Sequence, residues 1–447
     1  MTIENGNCLH VALFGTFNEN RYFLGDYKGS FDLIGFNANV VAYAAEGLAA
    51  FVAQLANKAY FIDPLTHAFQ HHPTSLMVRK DKEWVLKKSI EKLSQYYGSP
   101  FLENAGKTPV SAGSFDRDGF EGICRGVLQF QLKVINDATQ NLDVKEFLDD
   151  SEQELRPQFL IAPYFYLEPD NLDRELEDNV YFIVKSREIL ESNSDPETKP
   201  LFAEIVLDKE VLFNPVSTKM VIQEYQGSMA EGYLLWIDDF SELSVSEKAL
   251  KTYLDFTRKL ASTGRPIIAM HGSYFSIILS GKAYACLAGV GHGIEYGEHR
   301  PVLPVGGGVP LAKFYFPRFY ERVNYDPHAE EILLEKNWIE DRTTYLTQVC
   351  SCEMCRKVIK DDVASGFHEY GETKISEKDG KAYPTAQAMD KSRRHYLNSK
   401  IDEYEFCKIS QREEILKRLK QECEIADGIK KSYSFGHLRK WMRVLSG

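Results

Sequence analysis

Short apolar runs rich in β-branched and aromatic residues alternate with longer amphipathic segments along this chain, and that alternation limits the fold more than any other feature. Candidate strands cover residues 32–44, 59–63, 159–165, 201–207, 233–238, 266–271 and 283–290, with helical patterns such as 45–57, 83–97 and 244–262 between them. Strands that read as nearly continuous apolar runs are buried on both faces, as in a parallel sheet flanked by helices. Seven or eight such units over about 300 residues suit a (β/α)8 barrel better than an open sheet. Residues 98–155 offer no clear strand, although 121–142 reads as helix. The expected fold is α/β, a (β/α)8 TIM-like barrel over residues 1–330 followed by a helical subdomain over 331–447. Residues 143–154 and 188–199 read as exposed connections and 357–390 as a polar loop or insertion. Residues 391–423 have helical periodicity, and 429–445 form a basic, aromatic helix or arm.

With 447 residues, 44% of them hydrophobic, there is ample material for one large core and a smaller one. No stretch approaches the roughly 20 apolar residues of a membrane helix. The N-terminus lacks the basic and apolar regions of a signal peptide. The expectation is a cytoplasmic protein with no membrane partner. The net charge of −12 is unevenly distributed. Residues 391–447 hold 14 Lys+Arg against 8 Asp+Glu, a local excess of +6, so the remainder carries −18. Polynucleotide affinity depends on local phosphate contacts rather than on the total, so this basic region is a candidate contact surface. A solvated helical tail of mixed charge explains it equally well.

Eight cysteines are sparse for a chain of this length, and three stand together as Cys350-Ser351-Cys352-Glu353-Met354-Cys355. In a reducing compartment this spacing favours metal over disulfide. Three thiolates so close can turn toward one tetrahedral zinc ion, and such a closed site is structural because it leaves no position for water. The fourth ligand comes from His368, His395, His437, Cys407 or Cys423. His395 is preferred, because it opens a helical segment that can pack back on the cluster. Cys8, Cys124 and Cys286 read as core residues.

A barrel with a late Cys-x-Cys-x-x-Cys and a more distant histidine resembles the tRNA-guanine transglycosylase superfamily, and in feel lies nearest its DNA-modifying branch, which exchanges guanine for deazapurines. In the tRNA enzymes the fourth ligand follows after a shorter gap, inside His-Asn-Leu. Here 39 residues separate Cys355 from His395, and His-Tyr-Leu stands in its place. The segment Phe61-Ile62-Asp63-Pro64, continuing to Phe69-Gln70, resembles the family's early strand end, Asp-Ser-Gly-Gly-Phe-Gln, without the two glycines and with two residues inserted. Near the late strand end, where the family carries an Asp nucleophile, stand Met270-His271-Gly272, Gly289-Val290-Gly291-His292-Gly293 and Glu295-Tyr296-Gly297-Glu298. No Asp stands between Met270 and Arg322.

The resemblance implies N-glycosidic chemistry on a base in nucleic acid, with DNA preferred to tRNA because the tRNA motifs match loosely. Such chemistry needs a carboxylate facing the sugar and a donor that helps the base leave. Asp63 is the first candidate, at the barrel face where active sites lie. Its alternative is a turn residue before Pro64. Glu295 and Glu298 are candidates for the second carboxylate, and His292 and His271 for acid or hydrogen-bond donor. Gly291 and Gly293 make either a phosphate-binding or a structural turn. Gln70, Tyr164, Asp238 and Asp239 are candidate substrate contacts, the aromatic ring to sandwich an extruded base and the carboxylates to read its edge. Core or capping roles are open for each. The missing late Asp favours hydrolysis, hence a DNA glycosylase, over base exchange. A non-catalytic nucleic-acid-binding protein on the same fold is the third expectation.

Overall fold

The computed structural model describes residues 2–447 apart from 56, 58, 100, 112, 116, 141–154, 193–198, 295–297, 304–310 and 430–432. Eight parallel strands curl into a nearly closed (β/α)8 barrel: β1 (Leu9–Phe14), β2 (Leu33–Asn37), β3 (Tyr60–Asp63), β4 (Leu160–Ile161), β5 (Leu201–Leu207), β6 (Gly232–Ile237), β7 (Ile267–Ala269) and β8 (Gly289–His292). Each strand neighbours the next in sequence, and β1 pairs with β8. Backbone ladders lace every junction except that between β3 and β4. There, one bond from Gln158 N–H to the Tyr60 carbonyl, 2.8 Å, bridges the two banks.

Residues 9–14, absent from the strands expected above, form β1. The expected strand at 32–44 stops at Asn37, because Ala38–Tyr43 turns helical, and the last strand begins at Gly289 rather than near 283. Between 98 and 155 no strand occurs among the described residues; Arg117–Ala138 is helix. Alternate residues point into the lumen, where Leu9, Val11, Phe61, Phe159, Ile161, Phe202, Val206, Leu234, Trp236 and Met270 share one apolar cluster. Phe61, Phe159 and Phe202 stack in sequence, with centroid separations of 5.0 and 4.1 Å, and close the lumen from below. Gly35 and Gly232 make this possible: a Cβ at either would meet the Phe61 or Phe202 ring at 2.5 or 2.4 Å.

After β8 come an antiparallel hairpin (Lys313–Phe316 with Glu321–Asn324) and a helical module. The polar stretch 357–390 is more ordered than its composition suggests, holding a helix, Val363–His368, and a small hairpin, Thr373–Ile375 with Ala382–Pro384. The long helix Ala386–Ile409 starts on a Thr385 cap and lies against the outer wall of the barrel. Tyr404 donates to the Val290 carbonyl at 2.7 Å and stacks on His10 at 4.1 Å. The helical run expected over 391–423 is broken at Ser410 and resumes as Arg412–Ala426, whose Glu414 side chain accepts from the Gln411 N–H. The last helix, His437–Ser446, is pinned by Trp441 Nε1–H on the Glu242 carbonyl, 3.0 Å. No described helix is long and apolar enough to cross a membrane.

Candidate active site and metal centre

Strand parity sets the lumen site. Phe61 faces inward on β3, so Asp63 does too; Phe202 and Val206 face inward on β5, and Glu204 lies between them. Asp63 Oδ1 accepts from the Tyr164 hydroxyl at 2.7 Å and from the Leu65 N–H at 2.9 Å. The second bond is an Asx turn that carries Leu65 into the left-handed region, φ +52°. His67 Nδ1 lies 3.0 Å from the same hydroxyl. Tyr164 gives its single hydrogen to Asp63, so His67 donates and holds its hydrogen on Nδ1. Burial keeps His67 well below the usual imidazole range, hence neutral. The buried Glu204 carboxyl faces Asp63 and Tyr164, the side chains that perturb it. Burial, then the facing Asp63 carboxylate, drives Glu204 far above the usual range, and burial also raises Asp63. Both shifts favour a proton kept within the pair, on Glu204 more than on Asp63, because Tyr164 and Leu65 favour charge on Asp63.

Glu204 was not among the residues singled out from sequence. Its signal is a lone carboxylate inside the apolar strand Leu-Phe-Ala-Glu-Ile-Val-Leu.

At the rim, β4 delivers Tyr166, whose hydroxyl stands 2.9 Å from carboxylate oxygens of both Asp208 and Asp238. It carries one hydrogen and donates it to one of them; the other contact is attractive only when that carboxyl brings its own proton. Asp208 follows β5 and was likewise missed. Asp238 also accepts from the Val302 N–H at 2.7 Å, and Trp236 Nε1–H donates to the Arg300 carbonyl at 3.0 Å, so the segment after β8 folds over the mouth. His271 packs edge-on to Trp236, centroids 4.8 Å apart, and burial holds its imidazole down to about 3. Gln70 is committed to its neighbours: it accepts from Tyr166 N–H at 2.6 Å and donates to Glu175 at 3.1 Å, positioning Tyr166 instead of facing substrate. Asp239, exposed at φ +45°, lies 3.6 Å from Lys209. Tyr164 is sealed in the lumen at 1% exposure, which makes it a support for Asp63 and not a stacking platform.

Two expected participants, His292 and Glu298, lie elsewhere. In β8 Gly291 faces the lumen, and a Cβ there would meet the Met270 carbonyl at 2.7 Å; the glycine serves close packing. His292, one residue on, therefore faces outward. Its Nε2 lies 2.7 Å from His10 Nε2, and its ring packs edge-on to Tyr396 of the long helix at 5.5 Å. Burial holds it at about 3, so it rests neutral. Glu298 joins that outer cluster, 3.4 Å from Lys400 Nζ and 3.3 Å from the Tyr396 hydroxyl. His292 and Glu298 thus stand across the barrel wall from Asp63, because strand alternation sends neighbouring positions to opposite faces. Gly293 follows the strand end, and the nearest described atom to its Cβ position is the Leu13 carbonyl oxygen at 4.0 Å. Glu295 lies outside the described residues.

The metal centre matches its expected residues. Cys350, Cys352, Cys355 and His395 offer ligand atoms that all lie within 4.8 Å of one another and can hold a metal ion. His395 Nδ1 is 3.4 Å from Sγ of both Cys352 and Cys355. That is close to the edge of a tetrahedron with metal–sulfur and metal–nitrogen bonds of about 2.3 and 2.05 Å, roughly 3.5 Å. His395 does not open its helix but sits well inside Ala386–Ile409. Its Nε2–H donates to the Tyr315 carbonyl at 2.6 Å and its ring stacks on Phe314 at 4.4 Å, fixing the tautomer that leaves Nδ1 free. The Tyr370 hydroxyl lies 3.3 Å from Cys355 Sγ.

Part of the basic surplus of residues 391–447 is taken up in ion pairs, most of them at the surface. Lys391 pairs with Glu369, Arg394 with Asp26 and Asp390, Lys400 with Glu403, Arg439 with Asp427 and Arg443 with Glu247. Compared with known proteins, the chain matches no family model and no curated protein.

Proposed function

We propose that this chain cleaves the N-glycosidic bond between base and sugar in DNA, as a glycosylase working at the C-terminal mouth of its barrel. The observation that carries the reading is the convergence of Asp63, Asp208 and Asp238 from three strand ends, each within hydrogen-bond distance of a tyrosine hydroxyl from the turn after β4. Breaking the bond puts positive charge on the sugar and negative charge on the base. Asp238, at the rim, faces the sugar and takes the proton of the attacking water as its oxygen bonds to the anomeric carbon. The Tyr166–Asp208 pair gives its proton to the departing base nitrogen. Asp63, supported by Tyr164, adds fixed negative charge below the sugar, and the proton on Glu204 keeps the dyad at a single charge. The rings of His71, His67, Trp236 and His271 pack in series beside these groups, with centroids 5.8, 5.5 and 4.8 Å apart.

The resemblance of Asp63 and the cysteine spacing to the tRNA-guanine transglycosylase superfamily supports the same chemistry. In this reading the metal is zinc, and its three thiolates and imidazole leave no open position, so it holds the helical module on the barrel and takes no part in catalysis. One observation favours base exchange as the second reading: Asp208 and Asp238 at the mouth supply the further carboxylate that the segment after Met270 lacks.

The test is incubation with DNA of varied base modification, scored for abasic sites and for released base by mass spectrometry. Hydrolysis gives both, and Asp238→Asn lowers the rate about 100-fold or more, roughly 2.7 kcal/mol of barrel-mouth stabilisation of the transition state. Labelled free base entering the polymer without abasic sites establishes exchange instead. Binding without release of any base from any polymer rejects both.

A further inference from the structure

Beside the mouth lies a cleft of about 500 Å³, bounded by the ends of β1 and β2 and by the antiparallel hairpin Met77–Lys80 with Glu83–Leu86. Thr16 and Asn39 follow β1 and β2, so the cleft opens on the C-terminal face that also carries Asp63. Its walls are Val40, Val78 and Tyr43, the last 61% exposed, with Lys87 and Lys88 along its edge. Lys92 Nζ stands 5.6 Å from the Tyr43 centroid. Trp84, on the same hairpin, is 57% exposed. In a chain of net charge −12, residues 79–92 hold six Lys+Arg against three Asp+Glu. Among the described residues no carboxylate forms an ion pair with Arg79, Lys80, Lys82, Lys87, Lys88 or Lys92; Lys87 donates to the Ser75 carbonyl and keeps its charge uncompensated. In the C-terminal module, by contrast, Lys391, Arg394, Lys400, Arg439 and Arg443 each face a carboxylate. At the cleft floor Thr16 Oγ1 and Asn39 Oδ1 have no hydrogen-bond partner among the described residues.

We propose that this cleft and hairpin bind single-stranded DNA, holding the strand that flanks a base delivered to the mouth; the proposal rests on the glycosylase reading for its direction. Exposed aromatic rings stack bases of any sequence, and a row of unpaired lysines tracks the phosphates. Val40 and Val78 accept a deoxyribose against an apolar wall, where a 2′-hydroxyl would be desolvated without a partner. That favours DNA over RNA.

Fluorescence anisotropy of a short labelled single-stranded DNA against the full chain, repeated over a salt series, tests it. The combined variant Tyr43→Ala, Lys87→Glu, Lys88→Glu should bind at least tenfold more weakly and show a shallower salt slope, whereas Tyr43→Phe should remain within twofold of the parent and Lys417→Glu with Lys420→Glu should change nothing. Equal binding by the cleft variant and the parent overturns the proposal, as does tighter binding of the same sequence as RNA. Failure of the two readings is distinguishable. Cleft-dependent binding without base release leaves the cleft standing and removes the glycosylase; base release with affinity untouched by the cleft variant does the opposite.

Discussion

Two clusters of buried titratable groups lie on either side of one sheet wall, and they differ in how their charge is balanced. Outside, Lys400 is held by Glu403 at 2.9 Å and Glu298 at 3.4 Å, and donates to Tyr315 at 3.0 Å. His10 and His292 complete each other's hydrogen bonding, His10 Nδ1–H donating to the Ser30 carbonyl at 2.9 Å. Inside, acids meet acids: Asp63 faces Glu204, and Asp208 and Asp238 share one hydroxyl. A compensated cluster fixes structure, because each charge would be stranded without the rest. A buried cluster of facing acids costs stability, and such clusters are found most often where chemistry uses them. The difference fits a structural clamp on the outer face and the proposed chemistry in the lumen.

The largest expected effect is loss of the metal. Chelation, or Cys355→Ser, should remove folding free energy of about 10 kcal/mol from the helical module. Limited proteolysis would then cut within 331–447 while barrel fragments survive; equal resistance with and without metal would contradict a structural ion. Next, Lys400→Met should cost about 3–5 kcal/mol in urea unfolding, because Glu298 and Glu403 are left buried without their cation. A change below 1 kcal/mol would erase the contrast drawn above. The reverse pattern belongs to Asp63→Asn: stability within about 1 kcal/mol of the parent, with base release down about 100-fold.

pH separates the clusters more gently. His292 is lowered from 6.5 to about 3, so below 6.5 the unfolded chain takes up a proton that the folded one refuses. Its contribution is present above 6.5 and drains away as pH falls toward 3, and His292→Gln should flatten this acid limb. Glu204 is shifted upward from 4.5, so the folded chain keeps a proton that the unfolded one releases. Stability therefore declines as pH rises above 4.5, and Glu204→Gln should gain on the parent toward alkaline pH. Denaturant midpoints across pH read both slopes, and parallel profiles for parent and variants would refute the assignment.

The strand–helix alternation made the barrel legible, because seven strands bury both faces and read as apolar runs. Residues 9–14 escaped because His10 interrupts a short run close to the N-terminus. The metal ligands were legible because three lie within six residues, where local geometry suffices; His395 was reachable through its helix and the resemblance. The structure separates His292 from Asp63, which the sequence could not foresee: glycines flank His292 and carry no apolar parity, so nothing in the string says which face it takes. Glu204 was hidden for the opposite reason, as one carboxylate in a strand whose other members all behave as core. Asp238 was legible as a strand-end acid, but its partnership with Asp208 depends on Tyr166, which arrives from a different strand.

The gap in the lacing between β3 and β4 has a mechanical consequence. Asp63 stands on one bank and Tyr164 and Tyr166 on the other, joined by side chains where the backbone contributes a single bond. Sliding or widening at that point breaks no ladder, so the hoop can flex where Asp63 meets Tyr164 while the remaining staves stay rigid. A substrate wedged at this joint would be gripped by a wall that yields.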